Sequence, residues 1–162
     1  MSNSDETRRL SHVDSRGEAR MVDVGSKPAT EREAEARATV HMRPETARLV
    51  RENGAAKGDV LAVARIGGIM AAKRTSELIP LCHQVPLSSV EVEFTVGPDC
   101  IEAISRARTV DRTGVEMEAL TAVTVACLTI YDMCKAVDRG MRISDVRVTL
   151  KSGGKSGTFA ED

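Results

Sequence analysis

The stretch VEVEFTVGPDCIEAISRARTV, residues 90–110, decides the fold class. Val90, Val92, Phe94 and Val96 alternate with Glu91, Glu93 and Thr95, the period-two pattern of a strand with one face on a core. Gly97-Pro98-Asp99 is turn chemistry, and Cys100 to about Val110 returns as a second strand. Working back, Ala36, Ala38, Val40 and Met42 alternate with Glu35, Arg37, Thr39 and His41, another half-buried strand. Pro44 opens a short helix, PETARLVREN, with Gly54 just past its end. Asp59 suits the N-cap of a second helix, expected to run to about Ile79, where Pro80 stops it. Working forward, the Asp111–Gly114 loop leads into a long apolar helix, and ISDVRVTL (143–150) reads as a last strand. The order is β-α-α-β-β-α-β. With the two consecutive helices taken as one crossover it becomes βαββαβ, an α+β, ferredoxin-like sandwich: an antiparallel sheet with helices on one face. That fold alone assigns no function.

A chain of 162 residues suits one domain. Residues 17–157 are expected to form it, with 1–16 a disordered N-terminal tail and 158–162 a C-terminal tail. One Tyr, two Phe and no Trp leave the core to Ala, Val, Ile, Leu and Met. The same scarcity argues against a platform for stacking bases. A formal net charge of -1 provides no global pull toward nucleic acid or membranes, and neither is expected as a partner. No uninterrupted apolar run reaches the ~18 residues of a bilayer span. The segment MSNSDETRRLSHVD lacks the apolar core of a signal peptide, so a cytoplasmic protein is expected. Cys82, Cys100, Cys127 and Cys134 form no C-x-x-C pair and no zinc-like spacing with His12, His41 or His83. They read as buried free thiols. Cys82 and His83 adjoin, but neighbours on an extended chain point to opposite faces, which argues against a thiol nucleophile.

From Ala119 to Tyr131 the long helix carries no charge, yet Asp132 and Lys135 follow within it, three residues apart. One reading is an intrahelical ion pair worth a few tenths of a kcal/mol. The other is an amine partly desolvated beside a carboxylate and tuned for acid/base work. Glu118 precedes Asp132 by fourteen residues, roughly 21 Å along an ideal helix. If both ends work, a second subunit must bring them together. KSGGKSG (151–157) fails the Walker pattern, because position 149 is Thr and no helix follows. It reads either as a flexible basic tail or as a loop whose backbone N–H groups wrap an anion. Lys57 stands at a helix entrance that favours anions, though a solvated loop lysine is the commoner case. Lys73 and Arg74 suit the end of the second helix, where Lys73 could pair with Glu77. Gly67-Gly68 inside that helix points to close packing by another backbone. Convergence of Lys57, Lys73, Lys135 and Lys151 on one pocket would suit a polyphosphate.

Four segments carry a resemblance: GEARMVDV, KGDVLAVARIGGIMAAKRTSELIPLCH, TGVEMEALTAVTVACLTIYDMCKAV and KSGGKSG. Together, over about residues 11–157, they closely resemble the cyclic pyranopterin monophosphate synthase family of molybdenum cofactor biosynthesis. One departure is Gln84 after the Cys-His pair, where many relatives are expected to have Pro. The resemblance implies a ferredoxin-like lyase of the phosphorus-oxygen class. It converts (8S)-3′,8-cyclo-7,8-dihydroguanosine 5′-triphosphate into cyclic pyranopterin monophosphate and pyrophosphate. It also implies a homohexamer, a trimer of dimers, with active sites at subunit interfaces. Catalysis falls on Asp132, Lys57 and Lys135. Substrate contacts fall on Leu81, Cys82, His83, Met117 and Glu118, with Arg32, Lys73, Glu116 and Lys151 as further pocket residues. No tightly bound cofactor or protein-held metal is implied, and Mg²⁺ would enter on the substrate's phosphates. The contrasting reading is a non-catalytic ferredoxin-like module that binds a nucleotide or small anion and regulates a partner.

Overall fold

A computed structural model describes residues 12–14, 16–55 and 58–161. The elements are β1 (Thr30–His41), α1 (Pro44–Arg51), α2 (Val60–Ala72), α3 (Thr75–Leu78), β2 (Leu87–Val96), β3 (Cys100–Asp111), α4 (Glu116–Cys134), β4 (Arg142–Ser152) and β5 (Phe159–Ala160). They form one antiparallel sheet in the order β2-β3-β1-β4-β5. Each helical crossover skips one strand, so β1 lies between β3 and β4. This is the split-βαβ arrangement of a ferredoxin-like sandwich.

Three boundaries differ from expectation. β1 starts at Thr30 because Thr30–Ala34 pair with Asp111–Ala107, although TERE shows no apolar alternation. The second helix ends at Ala72 and not near Ile79. The Thr75 hydroxyl donates to the Ala72 carbonyl at 2.9 Å, and the chain restarts as the single turn α3. Phe159 and Ala160, within the segment expected as a tail, form β5: Gly153, Gly154 and Gly157 take positive φ and turn the chain back onto β4. Of the N-terminal segment, residues 1–11 and 15 lie outside the described residues, and Val13 pairs with Ala19 in an isolated bridge.

The core lies between the sheet and α4. Ala34, Ala36, Ala38 and Val40 of β1 and Ile101, Ala103 and Ala107 of β3 are fully buried, as are Ala119, Val123, Cys127 and Ile130 of α4. The Ser105 hydroxyl, also buried, donates to the Ala119 carbonyl at 2.7 Å and ties the helix to β3. By length and composition α4 could cross a membrane, but its apolar side is buried in this core. α2 lies against α4 through its glycines. A Cβ on Gly68 would stand 2.8 Å from the Ala122 carbonyl oxygen, and one on Gly67 would stand 3.0 Å from the Thr129 hydroxyl. The Gly pair therefore marks close backbone packing, as its sequence suggested.

The far end of α4 is anchored by Asp138, which is only 4% exposed. Its carboxylate accepts from the Arg43 N–H (2.8 Å), the Thr46 hydroxyl (3.0 Å) and the Gly140 N–H (3.2 Å). α1 has no N-cap side chain of its own, and Asp138 serves that role from across the fold. The Arg43 backbone donor, with Thr46 and Gly140, holds its carboxyl below the usual carboxylate range.

Gly68→Ala should lose about 1–2 kcal/mol, because overpacking against a backbone carbonyl outweighs the ~1 kcal/mol gain in helix propensity. Gly67→Ala, which meets only a side-chain hydroxyl, should cost less. Urea denaturation of both variants measures the difference.

Candidate active site

Two adjoining hollows open at the N-terminal end of α4. The larger, about 530 Å³, is formed where the start of β1, the loop before α4 and the glycine loop after β4 meet. Lys27, Arg32, Arg112, Lys151 and Lys155 line it, against the single carboxylate of Glu116. Arg32 is fixed by donating to the Asp111 and Arg112 carbonyls, each at 3.3 Å. The glycine loop folds over it, and a Cβ on Gly154 would collide with its guanidinium. Glu116 curls back over Gly114, where any Cβ would strike its carboxylate. Lys151 donates to the Ser156 hydroxyl, closing the loop on itself.

The smaller hollow shares Thr113, Gly114 and Glu116 with the first and adds Leu81, Cys82, His83, Met117 and Glu118. Glu118 is 4% exposed. Burial, reinforced by the charge of Glu116, pushes its carboxyl above the ordinary carboxylate value. The His83 ring is held by its Nε2 contact with the Val22 carbonyl at 2.8 Å. Burial, and then the charge of Glu118, push the Cys82 thiol up, the opposite of what a thiolate nucleophile needs. All four cysteines are free, and burial pushes Cys127 up to about 12.

Asp132 and Lys135 sit at the other end of α4, in a separate shallow hollow with Tyr131, Ala136 and Arg139. Lys135 Nζ is 2.6 Å from Asp132 Oδ1, a bond that raises the amine above its ordinary value. Both side chains are more than half exposed, 58% and 53%. The expected partial desolvation is therefore absent in the single chain, because this side of the helix end faces outward. Lys57 lies outside the described residues.

Arg32, Lys151, Glu116, Met117, Glu118, Leu81, Cys82 and His83 thus come together at one end, while Asp132 and Lys135 stand at the other. Lys73 is exposed at the C-cap of α2, lines neither N-terminal hollow, and makes no ion pair with Glu77 among the described residues. Of the lysines expected to converge, Lys151 lines the larger hollow, Lys73 and Lys135 do not, and Lys57 lies outside the described residues. Lys27 and Arg112 were missed, and Lys155 stood out only as part of the glycine loop. The signal for Arg112 was its place in the turn leading into α4; Lys27 is brought in by topology alone.

Residues 21–154 match the model of the MoaC family. The chain belongs to the MoaC family. Among its relatives, the cyclic pyranopterin monophosphate synthase of Thermomicrobium roseum is 62% identical over 155 residues, 94% of this chain and 93% of the relative. The enzyme of the same name from Pelotomaculum thermopropionicum is 60% identical over 152 residues, covering 93% and 89%. That of Peptoclostridium acidaminophilum is 55% identical over 153 residues, covering 94% and 98%. As in the rest of this MoaC-family chain's hollows, no group of three or more His, Cys, Asp and Glu side chains gathers as a metal site among the described residues.

The raised Glu118 carboxyl has a consequence for stability. Between the ordinary carboxylate value and the raised one, the folded chain keeps a proton that the unfolded chain has lost. Stability should therefore fall as pH rises through that window. Glu118→Gln should flatten this slope, as read from denaturation midpoints across the acidic range.

Proposed function

We propose that this chain is a cyclic pyranopterin monophosphate synthase, converting the cyclic dihydroguanosine triphosphate into cyclic pyranopterin monophosphate and pyrophosphate. The observation that carries the reading is the gathering of five cationic side chains in one hollow closed by the glycine loop, beside the buried Glu118, within a MoaC-family chain. Closing the cyclic phosphate requires a sugar hydroxyl to attack the α-phosphorus and expel pyrophosphate. Arg32, Lys151 and their cationic neighbours neutralise the charge that builds on the phosphates. Opening the purine-derived ring and rebuilding it as a pterin requires several proton transfers, which we assign to Asp132, Lys135 and Lys57. Leu81, Cys82, His83, Met117 and Glu118 hold the ring system, and Lys73 contributes to substrate binding. The protein needs no tightly bound cofactor of its own, and Mg²⁺ arrives on the phosphates.

The two ends of α4 serve one reaction when a second copy places its Asp132 and Lys135 against the basic hollow. A homohexamer with interfacial sites, acting in the cytoplasm, fits that need. It is supported by the exposed apolar stripe of Val63, Ile66 and Met70 on α2, continued by Leu128 of α4. A purely regulatory anion-binding module would use the basic hollow but has no use for the Asp132–Lys135 pair or a buried glutamate.

Purified chain incubated with the cyclic triphosphate should release pyrophosphate, and a regulatory module would not. Asp132→Ala or Lys135→Ala should lower turnover at least a hundredfold with fold and assembly retained. Lys73→Ala should raise KM and leave kcat nearly unchanged. Near-wild-type turnover in the first two variants would sink the catalytic assignment.

A further inference from the structure

The opposite end of the sheet from the glycine loop carries a second concavity that the proposed reaction does not use. β1 ends at His41, which pairs in register with Arg142 at the start of β4. Between them and the turn after α4 lies a cavity of about 620 Å³ lined by His41, Arg43, Asp99, Asp138, Arg139 and Arg142, with Met42 and Gly140 beside them. Three guanidinium groups and an imidazole thus face two carboxylates.

Asp138 does not offset the remaining cations. It is buried, takes three hydrogen bonds, and has the Arg43 guanidinium at 3.6 Å. Its effect is to hold Arg43 and the turn that carries Arg139 and Arg142 as one rigid piece. The Arg43 guanidinium also donates to the Val137 carbonyl, and the Tyr131 hydroxyl donates to the Arg139 carbonyl at 3.3 Å. His41 is fixed by Ser144 at 2.8 Å, and Ser144 donates in turn to Asp145. The Arg139 and Arg142 side chains make no hydrogen bond or ion pair among the described residues. Two unneutralised guanidinium groups therefore stand on a preorganised rim, with Asp99 the one carboxylate left to oppose them.

We propose that this cavity is a second binding site, for a phosphate oxyanion of pyrophosphate size. Guanidinium forks match phosphate oxygens in pairs, and the backbone turn that carries them is held in place by Asp138. Met42 is the one apolar side chain in the lining, so charged and polar groups dominate the cavity. Arg139 also lines the hollow of Asp132 and Lys135, so the two concavities share one wall residue. The link to turnover rests on the proposed function, whose reaction releases pyrophosphate; the binding itself does not.

Titration calorimetry of the full chain with inorganic pyrophosphate tests the site. Two classes of site are expected, one in the basic hollow at the N-terminal end of α4 and one here. Arg142→Gln should weaken one class at least tenfold and spare the other, and Lys151→Ala should do the converse. His41→Gln gives a second lesion should Arg142→Gln lower the melting midpoint. Unchanged stoichiometry and affinity in both Arg142→Gln and His41→Gln would overturn the proposal.

Steady-state assays separate the sources of the anion. If the site takes released pyrophosphate, Arg142→Gln keeps kcat and KM within about twofold but relieves inhibition by added pyrophosphate. If it takes the substrate's own phosphates, KM rises at least tenfold at similar kcat. Unchanged KM together with unchanged inhibition counts against the site. A chain without any turnover would defeat the proposed function, while the calorimetry would still decide this one.

Discussion

The approach of α2 to α4 at Gly68 is the constraint on which the rest of the structure depends. With one Tyr, two Phe and no Trp, this chain cannot fill its core with large side chains and has to gain contact by closeness. Gly68 lets α2 come within backbone contact of Ala122. Beneath α4, the row Ala34, Ala36 and Ala38 lowers the surface of β1 so that the helix can lie on the sheet. The buried Ser105 hydroxyl then fixes its height and register with one bond to Ala119. A layer assembled from small residues is unforgiving, because a single added methyl meets backbone and not a side chain that can turn away.

That close packing makes α4 a rigid rod with ionisable groups at both ends. Its N-terminal end presents Glu116 to the basic hollow and Met117 and Glu118 to the smaller one beside it, and its C-terminal end carries Asp132 and Lys135 outward. A helix of 19 residues leaves no route for one end to reach the other within a chain. A helix held this firmly fixes the position of the carboxylate and the amine at its end. Asp138 completes the mount, since it locks the turn that follows Lys135 to the start of α1.

The hairpin of β2 and β3 was legible because its apolar residues recur at every second position against a core. The first residues of β1 were not, since Thr30 and Arg32 face the basic hollow and the period-two signal vanishes there. The break between α2 and α3 was hidden because a Thr75 hydroxyl, indistinguishable in a sequence from any other, takes over helix carbonyls. β5 is two residues long and held by backbone pairing, which leaves no side-chain pattern to read. Glu116–Glu118 and the Leu81–His83 segment could be named from motifs, because each is contiguous. The cationic hollow could be named only in part, because Lys27, Arg32, Arg112 and Lys155 are contributed by separate segments. Asp132 and Lys135 were legible as a pair, but their apolar neighbours suggested a burial that the outward side of the helix does not impose.

Charge placement explains how a chain of net charge -1 can still select a polyanion. On the sheet face away from the helices, opposite charges are spent on one another. Arg108 meets Glu33 at 3.0 Å, and Arg106 bridges Glu35 at 2.8 Å and Glu93 at 2.9 Å. Burial alone would raise the Glu35 carboxyl, but the Thr149 hydroxyl, Arg37 and Arg106 outweigh it and hold the group below its usual range. Those pairs remove Glu33, Glu35 and Glu93 from competition for the cations at the ends of the sheet. The basic hollow keeps five cations against Glu116 for the same reason. The basic character of the hollow therefore comes from where the ion pairs are made, and the net charge of the chain is a poor guide to its local charge.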